Sequence, residues 1–330
     1  MSLKKHIRRR DFLKSVAAGA AALKSASLRP LFADPAAPAF RAKGLPTARL
    51  GKTRVKVPRI GLGLGSRFCA VEDLDTALEI LNTALDFGFY YWDTAYSYRN
   101  KGIISEERLG MVLKDRRKDV FLATKCESRT REAILREFEE SLKRLRTDHL
   151  DLYQVHLIQS LADVETLGVK DGAYETLQKL KEQRAVRFIG FTGHLTAAGM
   201  AEAARRYDFD TMLIALNHYQ ERKGDMEGEA VRAAARKRMG VMIIKTIRPR
   251  ESVKDIAAED LIRYGLSLPL VHSAVVGTDS VDVVQKNAAL LKNFEPLTRD
   301  EMNKLTVKLE PFNTGKDIPW MQPGYKDGEC

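Results

Sequence analysis

Four residues of this 330-residue chain are of types that could move a proton together: Asp93, Tyr98, Lys125 and His156. Asp93, Lys125 and His156 each close an apolar run, in "FYYWDTA", "VFLATKC" and "LDLYQVHLI", at intervals of 32 and 31 residues. A charged Asp and Lys inside such runs are costly to bury unless they pair with each other. Tyr98 follows in the loop "TAYSYRNKG", within reach of that pair. A lysine beside a phenol stabilises its anion and lowers its pKa, while the aspartate keeps the lysine charged and in place. The phenol then becomes a proton donor near neutral pH, and His156 can hydrogen-bond and orient a carbonyl oxygen. Tyr96, in the same loop, is the alternative tyrosine.

The elements that must position these residues recur through the chain. Apolar runs begin at residues 59, 89, 120, 150, 187, 211, 240 and 272, and amphipathic helical patterns separate them. The first helical pattern places Leu74, Ala77, Leu78, Leu81 and Leu85 on one face and stops at Gly88. Eight strands, each followed by a helix, predict α/β architecture of one kind, a (β/α)8 TIM barrel, with reactive groups at the C-terminal ends of the strands. One βα unit between successive polar residues predicts that Asp93, Lys125 and His156 stand at the same height around the mouth. An open doubly wound sheet is the alternative, but "GLGLGS" after the first strand lacks the Gly-x-Gly-x-x-Gly spacing that fold uses for phosphates. The segment "TARLGKTRVKVPR" predicts a β-hairpin closing the bottom of the barrel.

The N-terminus has a separate character. "RRRDFLKSVAAGAAAL" (8–23) pairs Arg9 and Arg10 with Asp11, Phe12, Leu13 and Lys14, then an Ala-rich stretch interrupted at Lys24. That is too short to span a bilayer and reads as a twin-arginine (Tat) export signal; a disordered basic tail is the alternative. Residues 1–39 are thus expected to be signal and Pro/Ala-rich linker, and 40–330 the barrel domain with its C-terminal tail, exported to the periplasm. Residues 1–33 carry seven of the eleven net positive charges, so the barrel is close to balanced and has no nucleic-acid footprint. Cys69, Cys126 and Cys330 have neither metal-ligand nor disulfide spacing.

The landmarks "LGKTRVKVPRIGLGLG", "DTAYSY", "SEERLG", "TK" and "LYQVH" stand in the order and spacing of the aldo-keto reductases, and from Ala48 to about Leu291 the chain resembles that family. The resemblance implies reduction of an aldehyde or ketone, or oxidation of the corresponding alcohol. Hydride would come from NADP, which the family slightly favours, or NAD, with Tyr98 as general acid/base beside Asp93, Lys125 and His156, and no metal is needed. It implies that Asp93, Thr192, Asn217, His218, Lys245, Gly277, Thr278 and Asn287 face the cofactor. The chain departs from the family pattern at Gly193, where an asparagine is common, at His218 for glutamine, and at Lys245 for a stacking tyrosine. Val283 stands where a basic residue would recognise a 2′-phosphate, which weakens NADP; Lys286 is a nearby substitute. The small-molecule carbonyl substrate is not legible, because the loops and the tail with Trp320, Pro323 and Tyr325 would choose it. A cofactor-binding sensor or auxiliary subunit without significant turnover is the alternative function on the same barrel. An exported enzyme of this kind is expected to carry its nucleotide captive from the cytoplasm.

Overall fold

The computed structural model describes residues 40–216, 226–247, 256–309, Trp320 and Asp327. Eight parallel strands close into a barrel: β1 (Ile60–Gly63), β2 (Tyr91–Asp93), β3 (Phe121–Cys126), β4 (Leu150–Val155), β5 (Val186–Gly193), β6 (Thr211–Ala215), β7 (Gly240–Ile244) and β8 (Ser273–Gly277). Every strand pairs with its sequence neighbours and β8 closes on β1, with Val276 opposite Leu62. The (β/α)8 expectation is met with all eight strands where the apolar runs stand. Closure removes every sheet edge, so no backbone donor of the barrel is left to recruit another strand.

The helices of the outer layer are α1 (Leu74–Phe87), α2 (Ser105–Arg116), α3 (Arg131–Leu145), α4 (Ala173–Glu182), α5 (Ala197–Arg206), α6 (Arg232–Arg236), α7 (Ala258–Ser267), α8 (Val281–Lys292) and α9 (Arg299–Leu309). In α1, Asp73 accepts the Thr76 N–H as N-cap, and Gly88 ends the helix at φ +97°, a conformation costly for any residue with a Cβ. Its buried stripe is Ala77, Ile80, Leu81, Ala84 and Leu85, while Leu74 is exposed. Of the expected face, Ala77, Leu81 and Leu85 are buried and Leu78 packs partly buried against the core, Leu74 is exposed, and Ile80 and Ala84 complete the contact.

The hairpin of Thr47–Arg49 and Lys56–Pro58 plugs the N-terminal end of the barrel, as expected. Lys52 N–H donates to Arg238 O at 2.6 Å just ahead of β7, and Leu50 is fully buried between them. Cys69 and Cys126 are both buried. Among the described residues no helix is long and apolar enough to cross a membrane.

Candidate active site

β2, β3 and β4 bring the proton-moving residues to one quadrant of the barrel mouth. The three residues advance in register from strand to strand. Asp93 is opposite Ala123 and Lys125 is opposite Gln154, so each polar residue lies two positions beyond the partner of the one before. A step of two keeps side chains on the same face of a strand. Ala123, Lys125 and Gln154 therefore face the interior, and Thr124, of opposite parity, donates outward to Glu106 at 2.7 Å. The length of Lys125 absorbs the offset.

Its ammonium uses three donors on three acceptors: Asp93 Oδ2 at 2.6 Å, Thr94 O at 2.7 Å and the Tyr98 hydroxyl at 3.2 Å. It also lies 4.6 Å from the Tyr98 ring centroid. Gln154 Nε2 donates to the second oxygen of Asp93 at 3.2 Å. Burial pushes the Asp93 carboxyl above its ordinary value, against the pull of the Lys125 charge and the hydrogen bonds from Lys125 and Gln154. The Tyr98 ring lies over Gly65, where a Cβ would come within 3.0 Å of it, so a side chain there would push the phenol off Lys125. Tyr96 instead points outward, its hydroxyl donating to Glu140 at 2.8 Å beneath the Arg144 guanidinium. Of the two tyrosines, Tyr98 is therefore the one at the mouth.

The segment "SEERLG" has a framework role. Ser105 Oγ donates to Leu64 O at 2.6 Å and accepts from Thr94. Arg108 donates to Glu72 O at 3.0 Å and so ties down the loop after β1. Buried Glu106 takes Thr124 and Arg144, which fixes α2 against β3.

His156 follows β4 and is held from both sides. Its Nδ1 lies 2.6 Å from Glu127 Oε1 and its Nε2 3.1 Å from Asp327 Oδ2. Burial opposes a charged ring, but the hydrogen bonds to Asp327 and Glu127 outweigh it and raise the pKa of His156 above its ordinary value. For Glu127 burial likewise favours the neutral acid, yet the bond and charge of His156 and the Ser97 hydroxyl leave its carboxyl below the ordinary value. The next residue, Leu157, adopts a left-handed backbone at φ +58°. It is secured by its N–H to Thr192 Oγ1 at 3.1 Å and by Arg129, which donates to Leu157 O at 3.0 Å. Such outliers persist only where their surroundings over-determine them.

Two participants were not singled out in the sequence. Glu127 had a usable signal, since it follows Lys125 by two residues in "TKCES" and strand parity points both inward. Asp327 had none. It lies 229 residues from Tyr98, accepts from its hydroxyl at 3.2 Å, and pairs with Lys245 Nζ at 2.7 Å. Although burial opposes its charge, Lys245 and His156 hold its carboxyl well below the ordinary range.

A cleft of about 300 Å3 leads away from this cluster. It begins at Asp93, Tyr98, Lys245 and Asp327, crosses Gly63 and Gly277, and reaches Val283, Lys286 and Asn287 on α8. At Gly63 a Cβ would come within 3.1 Å of the β8 backbone, so the floor there is bare main chain. Of the residues expected at a cofactor, Asp93, Lys245, Gly277 and Asn287 line the cleft. The Thr192 hydroxyl is engaged by the Leu157 N–H, and Thr278 stitches β8 to β1 through its N–H to Gly63 O at 3.1 Å. Both are buried away from the cleft lining. Asn217 and His218 lie outside the described residues. At the far end Arg67 pairs with Asp279 at 2.7 Å and Lys286 with Asp282 at 2.7 Å.

The structure thus sets a closed (β/α)8 barrel with an Asp, a Lys, a Tyr and a His gathered at its mouth, beside an elongated cleft. The Aldo/keto reductase family model matches residues 59–249, more than half of the chain, and the chain belongs to that family. It is an NAD(P)-dependent oxidoreductase of carbonyl and alcohol groups. The chain is 27% identical to the L-galactose dehydrogenase of Arabidopsis thaliana, over 82% of this chain and 95% of the relative. Its fold is similar to the holo form of aldo-keto reductase AKR11C1 from Bacillus halodurans, with TM-score 0.67 and 22% identity over 80% of this chain and 96% of that one. It is also similar to an aldo/keto reductase from Klebsiella pneumoniae in complex with NADP and acetate, with TM-score 0.63 and 23% identity over 82% and 96% of the two chains.

Proposed function

We propose that Tyr98 gives and takes the proton in this reaction, while Lys125, Asp93 and His156 arrange it. The observation that carries this reading is the single Lys125 ammonium shared by Asp93 and the Tyr98 hydroxyl. When bound, the nicotinamide supplies hydride to the carbonyl carbon. The chain's own residues do the rest. His156 Nε2 and the Tyr98 hydroxyl converge on one point, where a carbonyl oxygen would accept from both. As charge develops on that oxygen, Tyr98 delivers its proton, and the adjacent ammonium stabilises the resulting phenolate. Asp93 keeps Lys125 charged and aimed, and Glu127 orients the His156 ring.

Tyr98→Phe is expected to retain the melting temperature and nucleotide binding while kcat falls by about two to four orders of magnitude. Undiminished turnover would defeat the assignment. A parent protein that binds nucleotide yet reduces no carbonyl would instead favour the second reading, a cofactor-binding sensor.

The cleft suits a nicotinamide dinucleotide, with the bare backbone of Gly63 and Gly277 for close approach and the N-terminus of α8 for an anion. The likeness to a neighbour in complex with NADP supports the same class of cofactor. Between the two nucleotides we favour NAD. Among the described residues, Arg67 and Lys286, which line the cleft with Val283, are each engaged by a carboxylate, Asp279 and Asp282, so a 2′-phosphate would have to break a pair to gain either of them. Titration of both nucleotides is expected to give an NAD affinity at least equal to that for NADP; tighter NADP binding would reverse the choice.

For residues 1–39, which lie outside the described residues, the Tat export reading is retained as a proposal, and with it a periplasmic barrel of residues 40–330 that carries its nucleotide out. Its support is the twin-arginine pattern. Near-stoichiometric nucleotide released on denaturing the exported protein is the expected result; an empty exported protein would count against a captive cofactor.

A further inference from the structure

The point where Tyr98 and His156 converge is taken by the chain itself. Asp327 Oδ2 lies 3.2 Å from the Tyr98 hydroxyl and 3.1 Å from His156 Nε2, the two donors a carbonyl oxygen would require. The other oxygen, Oδ1, is held by Lys245 Nζ at 2.7 Å. Asp327 is buried, and it lines the cleft beside Asp93 and Tyr98. A single carboxylate thus engages the proton donor, the orienting histidine and a cleft lysine at once.

Trp320 is buried against Ile256, Leu261 and Leu309, and the Lys245 ammonium lies 5.5 Å from its ring. Lys245 itself adopts a left-handed backbone at φ +62°, an uncommon conformation for a residue with a long side chain. It directly follows the last residue of β7 and touches both Trp320 and Asp327, which makes it the clasp between tail and barrel.

We propose that Asp327 is an internal occupant of the carbonyl site, a carboxylate that the chain places on Tyr98, His156 and Lys245 and that must withdraw before a substrate oxygen can bind. The inference rests on Tyr98 and His156 being the groups that receive the carbonyl. Bonds between charged groups are about twice as strong as neutral ones. A neutral carbonyl offered to the same donors therefore binds weakly until the Asp327 carboxylate withdraws, and substrates whose oxygen is already anionic compete best. Apparent affinity for any ligand of this site is reduced by the fraction of time the site is open. If Asp327 occupies it nine-tenths of the time, removing the carboxylate strengthens binding about tenfold.

The test uses the full chain and two probes. Acetate, a minimal carboxylate, is titrated calorimetrically into the parent protein, Asp327→Ala and Asp327→Asn. Asp327→Ala is expected to bind acetate about tenfold more tightly than the parent, and Tyr98→Phe added to Asp327→Ala is expected to erase most of that gain. In steady state with 4-nitrobenzaldehyde, KM is expected to fall about tenfold in Asp327→Ala. Equal acetate affinity in parent and Asp327→Ala overturns the proposal, and so does an aldehyde KM that stays the same or rises. Asp327→Asn, which keeps the shape of the side chain and loses its charge, guards against a folding artefact: it must move acetate affinity in the same direction, and no change in it also overturns the proposal. A gain in acetate affinity in a protein that reduces no aldehyde would leave the occupancy standing and would sink the assignment of Tyr98 instead.

Discussion

Asp151 and Asp93 are carboxylates buried towards opposite ends of the barrel, and the two are handled in opposite ways. At the N-terminal end Asp151, the second residue of β4, sits between Arg117, 2.8 Å from Oδ2, and Arg187, which pairs with Oδ1; the Leu122 N–H adds a third donor at 3.0 Å. Burial opposes its charge, yet the two guanidinium groups outweigh it and lower its pKa. At the C-terminal end Asp93 has one cation and one amide, and burial wins. Asp151 is saturated by groups that have no other task in the mouth. Asp93 shares its cation with the Tyr98 hydroxyl, the proposed proton donor. Stability gathers where every acceptor is matched, and reactivity where a charge is divided between partners.

The contrast can be broken most sharply at Lys125. Lys125→Met strands a buried carboxylate and removes the cation from Tyr98, so it is expected to lower stability by about 3–5 kcal/mol and turnover by at least about a hundredfold. Denaturant midpoints and initial rates on the same preparation would measure both. A variant that lost stability alone would reduce Lys125 to a structural counter-ion.

Asp151→Ala should give the complementary result. It leaves two arginines facing each other and is expected to cost about 3–5 kcal/mol in urea unfolding, with kcat and KM unchanged among the molecules that remain folded. The contribution of Asp151 should also depend on pH. Because its folded pKa is depressed, its stabilisation is present above about pH 3.9 and is lost as pH falls through the lower folded value.

A gentler test lies at His194, buried near the mouth with its pKa lowered to about 3, chiefly by desolvation and further by the charges of Lys245 and His156. The unfolded chain takes up this proton near pH 6.5, whereas the folded chain resists it until about pH 3. Folding stability should therefore fall as pH drops between those values, by an amount on the order of a few kcal/mol, and nothing should change above pH 7. His194→Gln is expected to flatten that part of a plot of melting temperature against pH. An unchanged slope would shift attention to the half-buried His272, whose pKa desolvation also lowers.

Local pattern alone carried the barrel and the core of the site. Alternation of apolar runs and helices located all eight strands, since a strand buried on both faces must be apolar throughout and a covering helix must be apolar on one side. Asp93, Lys125 and His156 stood out because charge at the end of such a run has few structural uses. Spacing located them but not their register, which advances two residues from strand to strand. The face of α1 that is buried, the outward turn of Tyr96 and the inward hydroxyls of Thr192 and Thr278 depended on packing against elements distant in sequence. Asp327 is the extreme case. Nothing near residue 327 marks it, because its meaning comes from Tyr98, His156 and Lys245, which reach it only once the barrel has closed. Sequence by itself determined which residues could do chemistry, through rules that act over a few positions. Only the tertiary structure decided which charges share a partner, because electrostatic and hydrogen-bond coupling depends on separation in space, and folding sets that distance.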